Sequence, residues 1–142
     1  RFIAPDGKIT ELPKESIRQI DNLEDQGNYQ TFAIEGAQVG GQVEYFYVLR
    51  RKFDANGGIY IQNNEPKANV YVQLSYPDEL EYLIKSYNGF ASFKNYTDTT
   101  TNTVSSIATM GYIPPLSEEQ YAFYQANLMR YEFTLAYNRY NS

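Results

Sequence analysis

Two acidic clusters are the first residues in this chain whose types suggest chemistry. Asp78, Glu79 and Glu81 lie together, and Glu118 and Glu119 form a second pair. Paired carboxylates can cleave glycosides, one acting as acid and the other as base or nucleophile, provided they face each other across a cleft. Both clusters also sit where the sequence predicts helix starts, and the positive end of a helix dipole accounts for acids there. Asp54, Asn56, Asn63, Asn64 and Glu65 offer oxygen ligands for calcium from neighbouring turns. They lack the spacing of an EF-hand loop, and turn formation explains each of them.

Tyr45-Phe46-Tyr47 followed by Arg50-Arg51-Lys52-Phe53 brings rings and bases together, as in proteins that stack and neutralise single-stranded nucleic acid. Strand alternation splits the set, with Arg51 and Phe53 on the face of Tyr45 and Tyr47, and Arg50 and Lys52 on the face of Phe46. A net charge of −5 argues further against a nucleic-acid partner. The glycine turns at Gly36, Gly40-Gly41 and Gly57-Gly58 have neither the spacing nor the lysine of a phosphate loop. Asn95-Tyr96-Thr97 fits the acceptor triplet for an N-linked sugar.

The chain has no histidine and no cysteine. That removes histidine-based triads, thiolate nucleophiles, disulfides and the usual zinc sites, leaving carboxylates, lysine, tyrosine or a bound cofactor for any catalysis. No cofactor or metal site is expected. Fifteen tyrosines and eight phenylalanines among 142 residues point instead to contact surfaces, because tyrosine joins a broad apolar face to a polar tip. No apolar run is long enough to span a membrane, so a soluble chain is expected; its location is left open, extracellular and virion-associated settings being the candidates. With Arg1 in first place, the expectation is a chain processed or cut from a longer product.

The elements that must position these residues read as one α+β domain over residues 1–142. Phe2–Ala4 and Ile9–Leu12 flank Pro5–Lys8 as a hairpin, and Pro13 opens a short helix ending near Gly27. Residues 28–76 alternate as a strand meander, with Val43, Tyr45, Tyr47, Leu49 and Phe53 on one face of a central strand. The Asp54–Gly58 break turns the chain into strands at Ile59–Ile61 and Val70–Leu74. Leu80, Leu83, Ile84 and Tyr87 have helical spacing over residues 77–89, stopped by Asn88-Gly89. A short strand is expected at Phe90–Lys94, and the Thr- and Ser-rich run from Tyr96 to Ala108 as an exposed arm within 90–115.

Residues 116–142 predict a long C-terminal helix. Ser117 and Gln120 form a capping box, and Tyr121, Tyr124, Leu128, Tyr131 and Leu135 recur at steps of three and four. The expected architecture is thus an antiparallel sheet of four to six strands with two short packing helices and this long one. Its two apolar stripes would be buried on more than one side, making Tyr121, Tyr124, Leu128, Tyr131, Phe133, Leu135, Tyr137 and Tyr140 candidate interface residues. The leading functional expectation is a non-catalytic structural or assembly subunit of a virion, appendage or multi-subunit machine, forming homo- or hetero-oligomers. The alternatives are an extracellular carbohydrate- or peptide-binding module using exposed tyrosines, and then a small carboxylate-based enzyme.

Overall fold

The computed structural model describes residues 1–20, 29–50, 52 and 54–141. The chain divides into two compact units, Arg1–Arg51 and Lys52–Ser142. Both are built from short antiparallel strands.

In the first unit, β1 (Phe2–Ile3) pairs with β2 (Ile9–Thr10) through a turn in which Gly7 has φ +86°. The Lys14–Ser16 segment makes a single 3-10 turn, and β3 (Arg18–Ile20) pairs with β4 (Tyr29–Thr31). The helix expected after Pro13 is therefore replaced by a turn and a strand, and its remainder, residues 21–28, lies outside the described residues. After Gly41, β5 (Gln42–Val43) returns to the other side of β1. Phe2, only 3% exposed, packs on Gly41, where an added Cβ would come within 2.3 Å of the ring. Glycine is required there by space.

The second unit holds two three-stranded sheets, β7-β10-β9 and β6-β11-β8. Their strands are β6 (Asn56–Tyr60), β7 (Lys67–Pro77), β8 (Leu80–Tyr87), β9 (Lys94–Asp98), β10 (Thr103–Ile113) and β11 (Arg130–Asn138). The only α-helix among the described residues, α1, spans Tyr124–Asn127. Phe90, Ala108, Ile113 and Tyr131 form the buried centre, joined by Val70, Val72 and Leu74 from β7 and by Ile84 and Phe133 from β8 and β11. Side chains of both sheets thus share one core, the arrangement of a small β-sandwich.

Local rules explain why each strand presents the face it does. Along β7, Val70, Val72, Leu74 and Tyr76 point inward, and Tyr71, Gln73 and Ser75 outward. Asn69 adopts φ +54° opposite Gly111, the ladder skips that one pair, and the inward parity changes on both strands. Met110 therefore packs on the core while Tyr112 is exposed and Ile113 is fully buried. Ser106, also fully buried, is satisfied by the Tyr76 hydroxyl at 2.9 Å and by Asn95 Oδ1 at 2.7 Å. Gln62 plays a similar part, donating to the Pro114 carbonyl at 2.9 Å and accepting from the Met129 N–H at 3.0 Å. It ties the ends of three strands together.

Several expectations fail here. The long helix over 116–142 is absent: Ser117–Gln120 form no helix, and from Arg130 the chain is a strand with Tyr131, Phe133 and Leu135 alternating inward. The 77–89 segment is likewise strand β8, with Leu80, Tyr82 and Ile84 inward and Leu83 exposed. Both sequences satisfy periods of 3.6 and of 2, and their aromatic and β-branched content favours the pleated surface. The 96–108 arm is a paired hairpin whose second strand is the centre of its sheet. The meander is also not formed, since β6 pairs with β11 and β7 with β10. The α+β sheet-and-helix architecture gives way to a mostly β protein.

Burial sets a direct test of this outcome. Tyr131→Ala should cost about 3–5 kcal/mol through the cavity it leaves, whereas Tyr121→Ala, at a side chain 95% exposed, should stay within about 0.5 kcal/mol. Chemical denaturation of the two variants checks this, and similar losses for both would contradict the strand assignment.

Candidate interaction surfaces

Two surfaces stand out from the rest, one in each unit. In the first unit, backbone pairing beside β1 runs on to Glu44, whose N–H donates to the Arg1 carbonyl at 2.9 Å and whose carboxylate receives Arg1 Nε at 2.6 Å. Among the described residues no strand pairs with the next ones. Tyr45, Phe46, Tyr47, Val48 and Leu49 are 74, 91, 72, 80 and 62% exposed. Tyr45 and Tyr47 stack with centroids 6.5 Å apart, close to the roughly 6.7 Å between alternate residues of an extended chain. Phe46 and Val48, with Arg50 beyond them, fall at the other alternate positions. This is a stripe of two apolar side chains followed by a cation.

In the second unit, β7 and β8 are each the last strand of their sheet, and only Asp78 and Glu79 separate them. The two sheets are open along this side. Leu74, Tyr76 and Pro77 from β7, Leu80 and Tyr82 from β8, and Phe133 line an apolar cleft of ≈ 510 Å³. Tyr76 and Tyr82 meet there at 4.9 Å, and Tyr82 meets Phe133 at 6.1 Å. Burial, with Tyr76 adding to it, raises the Tyr82 phenol above its ordinary pKa. A second hollow of ≈ 430 Å³ shares Ser75, Tyr76 and Pro77 with the cleft and is lined further by Glu79, Thr101, Asn102, Thr103 and Tyr140. Apolar cleft and acidic hollow are therefore neighbours.

The edge of β7 differs from the other sheet edges. From Val70 to Tyr76 it carries neither charge nor proline. By contrast β8 bears Glu81 and Lys85, β9 is five residues long with Lys94 and Asp98 at its ends, and β6 opens with Asn56, Gly57 and Gly58. Charges, short lengths and irregular starts are the usual guards against unwanted strand pairing. β7 lacks them over seven residues.

Of the candidate interface residues, Leu128 and Tyr131 are buried, Tyr124, Phe133 and Leu135 are half-buried, and Tyr121, Tyr137 and Tyr140 are exposed. Phe133 lies over Gly57, where a Cβ would come within 2.8 Å of its ring, so the expected Gly57-Gly58 turn is instead part of strand β6. The calcium candidates do not gather: Asn63 Oδ1 accepts from the Glu65 N–H and the Lys67 ammonium, and no cluster of three acidic groups could hold a metal among the described residues. Asn95 of the sugar-acceptor triplet stands in β9 with its side-chain oxygen bonded to Ser106. Arg51 and Phe53 of the aromatic–basic run lie outside the described residues. On the outer sheet face Arg130 stacks 4.4 Å from the Tyr87 centroid and pairs with Glu132 at 3.0 Å, which lowers the Glu132 pKa.

Comparison with known families, curated proteins and solved structures gave no match to this chain. No helix among the described residues is long and apolar enough to cross a membrane.

The acidic hollow has a titration signature. Its own backbone N–H and then the Tyr140 hydroxyl hold the Glu79 carboxyl below the ordinary carboxylate pKa, and the same Glu79 bond raises the Tyr140 phenol. Glu79 thus adds stability above its unfolded pKa that is lost as pH falls through the lower folded value. Tyr140 adds stability that is lost as pH rises through its raised folded value. Glu79→Gln should return the Tyr140 titration toward the ordinary tyrosine value, as read by NMR, and an unchanged curve would refute the bond.

Proposed function

We propose that this chain is a non-catalytic structural or assembly subunit that engages a protein partner through Tyr45–Leu49. The observation that carries this reading is five consecutive large apolar side chains, each more than 60% exposed, directly after a backbone anchored at Glu44. Contiguous apolar exposure of this kind marks interaction surfaces in folded proteins. Composition supports it, because tyrosine and phenylalanine are enriched at the centres of interfaces.

The small first unit adds a second support. Phe2 is its one buried hydrophobic side chain among the described residues, while Ile9, Ile17, Phe32, Val39 and Val43 are exposed alongside the 45–49 run. A unit of about fifty residues is marginal even with a good core, and association is a common remedy. A partner covering Tyr45–Leu49 would bury the largest apolar stretch this unit presents.

Light scattering over a concentration series tests the reading. The chain should form multimers or a complex with its natural partner, and Phe46→Ser with Val48→Asp should weaken that association by at least tenfold while the circular dichroism of the β-sandwich stays unchanged. Association that is indifferent to both substitutions would overturn the role given to this segment.

A further inference from the structure

The geometry points to a second copy of this chain as the partner, with its Phe46–Arg50 stripe laid along the edge of β7 that no strand pairs with among the described residues. Phe46 and Val48 would seat in the cleft between β7 and β8, and Arg50 would reach the adjoining hollow that holds Glu79. This inference rests on the assembly reading above and specifies its acceptor.

Three observations support this pairing. The first is the edge itself, since β7 from Val70 to Tyr76 has one neighbouring strand and no guarding charge or proline. Strand addition satisfies the backbone of both partners, while alternate side chains fill pockets and set specificity. The second is the match in order of chemistry. Along the stripe two apolar groups at 46 and 48 are followed by a cation at 50; along β7 the apolar cleft is followed by the turn bearing Asp78, Glu79 and then Glu81. Asp78 and Glu79 at that turn, with Glu81 two residues on, place carboxylates where the cation would arrive, Arg139 also lying near Glu79.

The third is direction. The basic end of the donor segment is its C-terminal end, and the acidic turn follows the C-terminal end of β7. Charge and apolar groups match together only if the donor runs parallel to β7. Each copy carries both a donor segment and an acceptor cleft, so reciprocal exchange between two copies closes a two-fold dimer, and one-way addition builds a ring or a filament.

The absence of cysteine makes a clean test possible. Full-length Val48→Cys and Leu80→Cys chains, each with one thiol, are mixed and oxidised. Mixed disulfide dimers should form at least tenfold more than when Val39→Cys, at a fully exposed position of the same unit, replaces Val48→Cys. Arg50→Glu should weaken self-association about tenfold, with circular dichroism confirming that the fold is kept. Equal cross-linking from positions 48 and 39 in a chain that still multimerises through Phe46 and Val48 would overturn this acceptor and leave the assembly reading standing. A chain that stays monomeric at every concentration, with Phe46→Ser and Val48→Asp also failing to affect capture of any other partner, would remove both.

Discussion

The second unit depends on small residues in the centre of one sheet that admit the large rings of Tyr131 from the other sheet and of Phe90 and Phe93 from the link between β8 and β9. Ser106 and Ala108 on β10 are almost entirely buried, and Phe90, Phe93 and Tyr131 gather in the same interior with centroids 5.2–6.4 Å apart. Ring pairs at such separations add to the gain from burial itself. A bulky side chain at Ala108 would push the sheets apart, and an apolar one at Ser106 would strip the Tyr76 hydroxyl and Asn95 of their shared partner. Gln62 completes the interior at one end, and exposed Asn88 ties the end of β8 to α1 by donating to the Ala126 and Leu128 carbonyls at 2.7 and 2.8 Å.

With only three strands in each sheet, the sandwich is not closed on itself. The chain passes from β7 directly into β8, so both strands end their sheets on the same side, and the rings of Tyr76, Tyr82 and Phe133 line the opening there. The cleft is thus a consequence of the topology: an arch between two sheets leaves two unpaired edges with core-like side chains between them. Leaving the β7 edge without charge or proline keeps it open to strand pairing.

How much of this the sequence made legible depended on which period each segment allowed. In β11 the run Tyr131, Phe133, Leu135 alternates with Arg130, Glu132 and Thr134, yet Tyr124, Leu128, Tyr131 and Leu135 also fit a helix face. A well-formed capping box at Ser117 and Gln120 favoured the helix, but those residues are needed to carry the chain from β10 back toward β11, with the Leu116 N–H bonded to the Asn63 carbonyl at 2.9 Å. In β10 the small polar residues that suggested an exposed arm are buried because the facing rings require them to be small. The parity change at Asn69 and Gly111 left no mark beyond an asparagine and a glycine far apart in the chain.

The tyrosine load suggested contact surfaces without placing them. The positions singled out were those of an amphipathic helix that does not form, and among them Leu128 and Tyr131 are buried in the second unit. Conversely, Val43 to Phe53 has an alternation that reads as an internal strand, and pairing stops at Glu44. An extended segment obeys the same pleat whether or not a neighbouring strand pairs with it. What separates the two cases is whether the remaining chain supplies a neighbour, which is a property of the fold and not of the segment. In this structure β6 and β7, which would flank Tyr45–Leu49 in the expected meander, pair instead with β11 and β10.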